Sequence, residues 1–451
     1  MRISAEAHDF LYPVYALAIA RTRPKVADTV EGRNMAHVLR KPLSGSVQFM
    51  SGGNVSISST SSPMRMSLLS VAALSLALVA GAQTPATAPA DTAAAPASAA
   101  QAPAPAPDPK QWRVGPMDVS GFLDGYYSYN SNDPSEDNNG KINDLYNFND
   151  KTNQWALNGA KLTLNHDPAP IGARVDLVYG RINKLVNASN QLEFVEQAYF
   201  SVKPPKAKGF ELDLGKFVTS AGAEVIESKD NWNYSRSILF AWAIPYYHFG
   251  LRSSMPVSKT ETIGVQLVNG WNNIVNDVGG PTVGVTSSYV KPKYTWNADF
   301  YTGPANYTEQ HGYRNLFDTT VLLTPNSKFN AYINYDIGAN SDSIHNGIGD
   351  NKTNLWQGVA FAAHQQISSK FAGTGRIEVF NDRDGYSTGV AQTVKEFTAT
   401  GEYHWPLGLI ARAEYRHDWS DQPYFHKNAD SMVDSQNTFT IGLIAIFAPK
   451  R

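Results

Sequence analysis

The chain of 451 residues reads as an all-β protein, a transmembrane antiparallel β-barrel of sixteen strands with short periplasmic turns and long extracellular loops. Three observations predict it. From Asp118 to Phe447 apolar and polar residues alternate with a period of two, which the pleat of a strand separates onto opposite faces and a helix does not. The alternating segments average about 10–11 residues, close to what a tilted strand needs to cross a bilayer. Their connections alternate between short and long, a segregation that a membrane barrel imposes and a soluble sandwich does not.

The strands are expected at 118–130, 155–166, 171–180, 195–203, 210–217, 246–255, 261–271, 281–290, 296–303, 313–323, 329–337, 356–366, 371–381, 393–405, 409–420 and 437–447. The last is the clearest: Phe439, Ile441, Leu443, Ala445 and Phe447 share one face, with Thr440 and Gly442 on the other. Leu409, Ala411, Ala413 and Tyr415 likewise alternate with Arg412, Glu414, Arg416 and Asp418. The short connections carry turn formers, such as Asp167-Pro168-Ala169-Pro170 and Thr324-Pro325-Asn326-Ser327. The long ones are rich in Asn, Asp and Gly. An even strand number returns both chain ends to the short-turn side.

The N-terminal third reads as export packaging. Residues 64–82 have a basic start at Arg65, an apolar stretch from Leu68 to Ala80 and small residues at Ala80 and Ala82, the pattern of a secretory signal. Residues 83–117 follow as a periplasmic tether: Gln83–Pro109 holds 12 Ala and 7 Pro, too much proline for helix or sheet. Residues 1–63 are expected to be an upstream extension outside the native protein, with translation starting at Met64 or Met66. The barrel domain is 118–447.

Composition excludes several classes. With 38 Lys+Arg against 40 Asp+Glu the chain lacks the basic surface of a nucleic-acid binder. Zero cysteines remove disulfide frameworks, thiolate metal sites and cysteine nucleophiles. A mean hydropathy of −0.32, without long apolar runs beyond the signal, excludes a helical multi-span protein. Histidines without ligand spacing give no metal site, and no glycine loop implies a nucleotide, so no cofactor is expected.

The apolar faces are assigned to lipid, since a charge there costs about 2–4 kcal/mol at mid-bilayer. The polar faces then surround a lumen too wide for wall side chains alone to fill. Tyr127, Tyr129, Trp155, Tyr179, Trp271, Trp296, Trp405 and Trp419 lie near strand ends and suit interfacial girdles. Period two places Lys161, Arg174, Arg252, Arg376, Arg412 and Arg416 inside, with Asp176, Glu211, Asp213, Glu378, Glu396, Glu402, Glu414 and Asp418. The acidic surplus suggests a weak cation preference. A register slip of one residue reverses any strand's contribution.

At Gly215-Lys216-Phe217 the chain resembles a known family, the OmpL-like β-barrel porins of bacterial outer membranes. The likeness continues through Ala221-Gly222, Glu224, Asn233-Tyr234-Ser235-Arg236-Ser237, Phe240-Ala241, Ile244-Pro245, Tyr247-His248-Phe249-Gly250-Leu251-Arg252 and Asn269-Gly270-Trp271-Asn272. One departure is that Ala448-Pro449-Lys450-Arg451 follow Phe447, where such barrels end on an aromatic residue. The resemblance implies an outer-membrane porin passing small hydrophilic solutes or ions. Its implied partners are the lipid bilayer, lipopolysaccharide and the outer-membrane assembly machinery. Related wide barrels often form trimers, so a homotrimer is an implied assembly. It also implies that the third long loop, Val218–Pro245, folds inward and narrows the pore.

That loop carries Glu224, Glu227, Lys229, Asp230 and Arg236 beside Ile238, Leu239, Phe240, Trp242 and Ile244. Apolar residues would pack it on the inner wall, and opposed charges would sort solutes by charge. The candidate pore wall is Arg174, Asp176, Asp213, Arg252, Arg376, Glu378, Arg412, Glu414 and Arg416. Alternatives are a substrate-specific channel, with Tyr126 and Tyr332 stacking sugar rings, a barrel enzyme and an adhesin. His248, His364, His404 and His417 lie in strands, but no G-x-S-x-G or HExxH motif supports catalysis.

Overall fold

The computed structural model describes residues 112–135, 141–186, 192–276, 279–305, 312–341, 344–345, 348–349, 353–429 and 431–447. The expected extension 1–63, the signal 64–82 and the tether as far as residue 111 lie outside the described residues. Sixteen strands form one barrel: β1 (Met117–Asn130), β2 (Gln154–His166), β3 (Ile171–Tyr179), β4 (Val195–Val202), β5 (Glu211–Val218), β6 (Tyr247–Pro256), β7 (Glu261–Val268), β8 (Thr282–Lys291), β9 (Tyr294–Pro304), β10 (Tyr313–Leu323), β11 (Phe329–Ser341), β12 (Thr353–Gln366), β13 (Phe371–Asp382), β14 (Gln392–Trp405), β15 (Leu409–Ser420) and β16 (Ser435–Phe447).

Each strand pairs antiparallel with the next, and β16 closes on β1 from Gly121↔Phe447 to Asn130↔Thr438. Closure gives every barrel strand two neighbours, which hydrocarbon demands of a spanning sheet. A short extension at Arg113–Val114 folds back on the start of β1. The β3–β4 connection contains a helix, Arg181–Val186.

The faces are inverted relative to a water-soluble sheet. Leu123, Ile377, Val379, Phe439, Ile441 and Leu443 are exposed, whereas Asp124, Arg376, Glu378, Thr438 and Thr440 are buried. Along β16 the two sets alternate residue by residue. Burying charge while displaying aliphatic side chains is unfavourable in water and favourable where the outer face meets lipid.

The strand bounds agree with the sequence expectation to within a few residues. One segment needs correction: 261–271 ends as a strand at Val268. Gly270 adopts φ +141°, where a side chain would be strained, and the chain leaves the sheet there. Trp271 consequently does not join a lipid girdle. It sits 6.2 Å from the Trp356 ring, with the Arg314 guanidinium 5.0 Å from its own.

An apolar cluster fills part of the barrel interior. Phe148, Ile238, Leu239, Phe240, Ile244, Tyr246, Trp356 and Phe380 belong to it. Its members come from loops as well as from inward wall positions, so the wide lumen is occupied by the protein's own connections.

Candidate pore and its inner loop

The connection between β5 and β6, residues 219–246, supplies the largest inward structure. It contains a single 3-10 turn at Ser228–Asp230 and a wide helical turn at Leu239–Ala243. Between them the backbone has no ladder partner, and buried peptide groups must find other bonds. The charged wall provides them. Glu414 on β15 accepts from the backbone N–H groups of Tyr234 at 2.6 Å and Ser235 at 2.9 Å. Glu378 on β13 accepts from those of Ile238 at 2.7 Å and Leu239 at 3.1 Å.

The arginines address the carbonyls. Arg376 donates to Ser235 O at 2.9 Å and also pairs with Glu224 at 2.6 Å. Arg412 donates to Asn231 O at 2.6 Å and Asn233 O at 3.1 Å, and also to Ser228 O. Arg416 donates to Arg236 O at 2.7 Å. Further round the barrel, Trp356 Nε1 of β12 donates to Ala243 O at 3.0 Å, and Ala223 N donates to Asn334 of β11 at 3.2 Å. On the other flank Tyr234 donates its hydroxyl to Asp124 of β1 at 2.6 Å, and Lys161 of β2 pairs with Glu227. The loop therefore crosses the lumen and is held on both sides by charge-assisted bonds, each contributing about 1.5–3 kcal/mol.

Two glycines make room for this docking. A Cβ on Gly442 of β16 would lie 2.2 Å from the Tyr234 ring, and one on Gly338 of β11 would lie 2.0 Å from Trp356. Both positions face the lumen, so the wall is flattened where bulky rings lie against it.

The five charged loop residues singled out from the sequence fall into two groups. Glu224, Glu227 and Arg236 are anchors, the first and last buried and Glu227 partly buried. Burial opposes the charge of Glu227, but Lys161 and Lys229 outweigh it and hold the carboxyl well below the usual glutamate range. Burial holds the Arg236 guanidinium below its ordinary value, and it donates to the carbonyls of Ile226 at 3.1 Å and Tyr234 at 2.5 Å. Lys229 and Asp230 pair with one another, with 23% and 27% of their side chains accessible.

The wall residues divide similarly. Arg376, Glu378, Arg412, Glu414 and Arg416 are spent on the loop. Arg174 and Arg252 are not: each pairs with a wall carboxylate, Asp176 at 3.0 Å and Asp213 at 2.7 Å, and they remain 34% and 15% accessible. Arg252 also packs 4.5 Å from the Phe217 ring centre. Sequence reasoning passed over Asp124, Glu196, Asp299, Asp318 and Asp336, all buried. Their alternation with outward apolar residues was the available signal. The polar anchor Tyr234 stood in the stretch that carries the family resemblance, but its anchoring role had no periodic signal, because a loop has no period.

A family model described as "Putative beta-barrel porin-2, OmpL-like" matches residues 116–447, about three quarters of the chain. Among solved structures, Salmonella typhi OmpF in complex with daunomycin is 15% identical with a TM-score of 0.51, covering 73% of this chain and 97% of its own. The anion-selective porin of Comamonas acidovorans is 9% identical with a TM-score of 0.50, covering 73% and 99%. At such identities the likeness establishes the fold. No match was found among curated proteins.

Proposed function

Because the chain belongs to the OmpL-like β-barrel porin family, we propose that it works in the bacterial outer membrane as a passive diffusion channel for small hydrophilic solutes and ions, with no catalytic step. The observation that carries this reading is the inverted barrel with its long loop pinned across the lumen. The apolar exterior sits in lipid, the polar interior admits water, and the loop reduces a wide bore to a narrow passage.

In this reading the passage runs beside the loop, along the wall where Arg174 and Arg252 keep water access, and past Lys229 and Asp230. Their side-chain exposure supports that route. Glu224, Glu227, Arg236 and the charges of β13–β15 set the loop's position. The mature protein is read as starting near Gln83, with lipopolysaccharide, the assembly machinery and further copies of the chain as partners.

Recording from refolded protein in planar bilayers tests the reading. Discrete, solute-permeable conductance steps are expected. Lys229→Gln should move the reversal potential toward cations and Asp230→Asn toward anions. A folded protein that conducts nothing would sink the channel reading, and unchanged reversal potentials in both variants would sink the route.

A further inference from the structure

The first long connection, between β1 and β2, also turns into the barrel. Its residues 141–152 form a closed hairpin. Asn143 N donates to Asp150 O at 2.7 Å, Thr152 N donates to Lys141 O at 3.0 Å, and Ile142 and Lys151 pair as an isolated bridge. The tip, residues 143–150, is rich in Asn and Asp, a composition that suits a solvated loop. The structure shows the reverse. Asn143, Leu145, Tyr146, Phe148, Asn149 and Asp150 are each no more than 5% exposed.

Buried polar groups need partners. Apart from the Asn149 amide, which has none among the described residues, the tip finds them on two sides. Toward the wall, Asn143 donates to Ser128 of β1 at 3.2 Å and accepts from Asn130 at 2.9 Å. Gln436 of β16 donates to Asp144 O at 2.7 Å, and the Tyr146 hydroxyl shares a 2.5 Å bond with Thr438. The Arg416 guanidinium of β15 lies 4.3 Å from the Tyr146 ring centre. Toward the inner loop, Trp242 Nε1 donates to Leu145 O and Asn147 Nδ2 donates to Ala241 O, both at 3.0 Å. Two other surface connections clamp the hairpin: His426 donates its backbone N–H to Asp144 at 2.7 Å, and Arg181 donates to Asp150 at 2.6 Å.

Phe148 fills the space against the inner loop. Its ring centre lies 5.9 Å from that of Phe240 and 5.2 Å from that of Tyr246, with the Arg236 guanidinium 5.1 Å away. The backbone that presents it is strained. Leu145 adopts φ +62° and Phe148 φ +74°, a left-handed conformation that bulky side chains rarely take. Such strain persists only where the surroundings hold it, and it concentrates at functional positions. Glycine would relieve it at Phe148 but would leave the space empty.

We infer that this hairpin is a second constriction element, which together with the inner loop sets the size limit of the channel, and that Phe148 is the side chain that closes the gap between them. The hairpin reaches from the wall of β15, β16 and β1 to the helical turn Leu239–Ala243. That sector is filled by protein, so solutes are confined to the wall of β3 and β6, where Arg174 and Arg252 keep water access. The inference rests on the channel reading and adds to it which segment decides how large a solute passes.

The test is single-channel recording from refolded protein in planar bilayers, with neutral polyethylene glycols of graded size as probes of the limit. Phe148→Gly suits the left-handed backbone and removes the ring. A second variant replaces residues 144–149 by alternating Gly and Ser. Both should conduct more than the wild type and admit larger polymers, the second variant by about twofold in conductance, as a wider water-filled bore requires. An independent readout uses a single cysteine in place of Ser128, which is buried beneath the hairpin. A water-soluble cationic thiol reagent should modify Ser128→Cys roughly tenfold faster once the hairpin is replaced, because reaction follows the population that exposes the site. Unchanged conductance and size limit in whichever variant folds, beside a conducting wild type, would overturn the inference and leave the channel reading standing. Unchanged cysteine reactivity after the replacement would overturn it as well. Silence from wild type and variants alike would overturn the channel reading, and the size-limit inference with it.

Discussion

Replacing Glu414 by Gln tests how firmly the inner loop is held. The carboxylate receives two successive backbone N–H groups, at 2.6 and 2.9 Å, and the Thr400 hydroxyl at 2.8 Å. Glutamine has almost the same shape but only one acceptor oxygen, and its amide donors would face the N–H of Tyr234 or Ser235. One charge-assisted bond is lost and another becomes neutral. At about 1.5–3 kcal/mol for each charged bond, the local cost is about 3 kcal/mol. Since 1.4 kcal/mol is tenfold, the loop's detached population should rise by roughly a hundredfold. The barrel's strand pairing is untouched, so the heat-modifiable mobility of the folded protein on gels should stay as in the wild type. Single-channel records should show added open-channel noise and frequent larger sub-states. Adding Glu378→Gln, which releases Ile238 and Leu239, should enlarge both effects. A doubly substituted channel as quiet as the wild type, with the same conductance, would refute the claim that these carboxylates pin the loop.

Other consequences are as direct. Gly442→Val places a side chain where the Tyr234 ring already lies, so it should displace the loop and raise conductance while leaving the fold intact by circular dichroism. Leu443→Arg puts a charge on the lipid face and should destabilise the barrel by about 2–4 kcal/mol, measured as a lowered urea midpoint of unfolding from lipid vesicles. The lowered pKa of Glu227 gives a pH expectation. A group whose folded pKa lies below its unfolded value contributes stability above the unfolded value and loses it as pH falls through the folded one. Conductance noise from the loop should therefore be constant above the usual glutamate range and rise progressively as the pH falls from that range toward the lower folded value. Glu227→Gln should already be noisy at neutral pH.

The fold was largely legible because one physical constraint governs every strand. Lipid outside and water inside force alternation at each residue, so Ile441 and Thr440 declare their faces without any knowledge of their neighbours. Loop parity added the direction of crossing. The pore was less legible. Arg376, Glu378, Arg412, Glu414 and Arg416 were correctly placed on the inner face by period alone, yet nothing in their spacing says that they meet a backbone some 140–190 residues away in sequence. Counting their charges as pore lining treats spent groups as free. Trp271 failed for a related reason: position near a strand end predicts a girdle only if the strand continues, and Gly270 ends it. The inward hairpin at 141–152 was hidden as well, because an Asn- and Asp-rich connection reads as a solvated surface loop until its partners are known.

The orientation of the two faces underlies everything else, and the absence of native cysteine makes it directly measurable. Single cysteines at Leu123, Ile377, Ile441 and Leu443, each carrying a nitroxide label in vesicle-embedded protein, should collide readily with dissolved oxygen and poorly with a water-soluble nickel complex. Should the nickel complex relax these labels as strongly as oxygen does, the aliphatic face lies in water and the membrane barrel is contradicted.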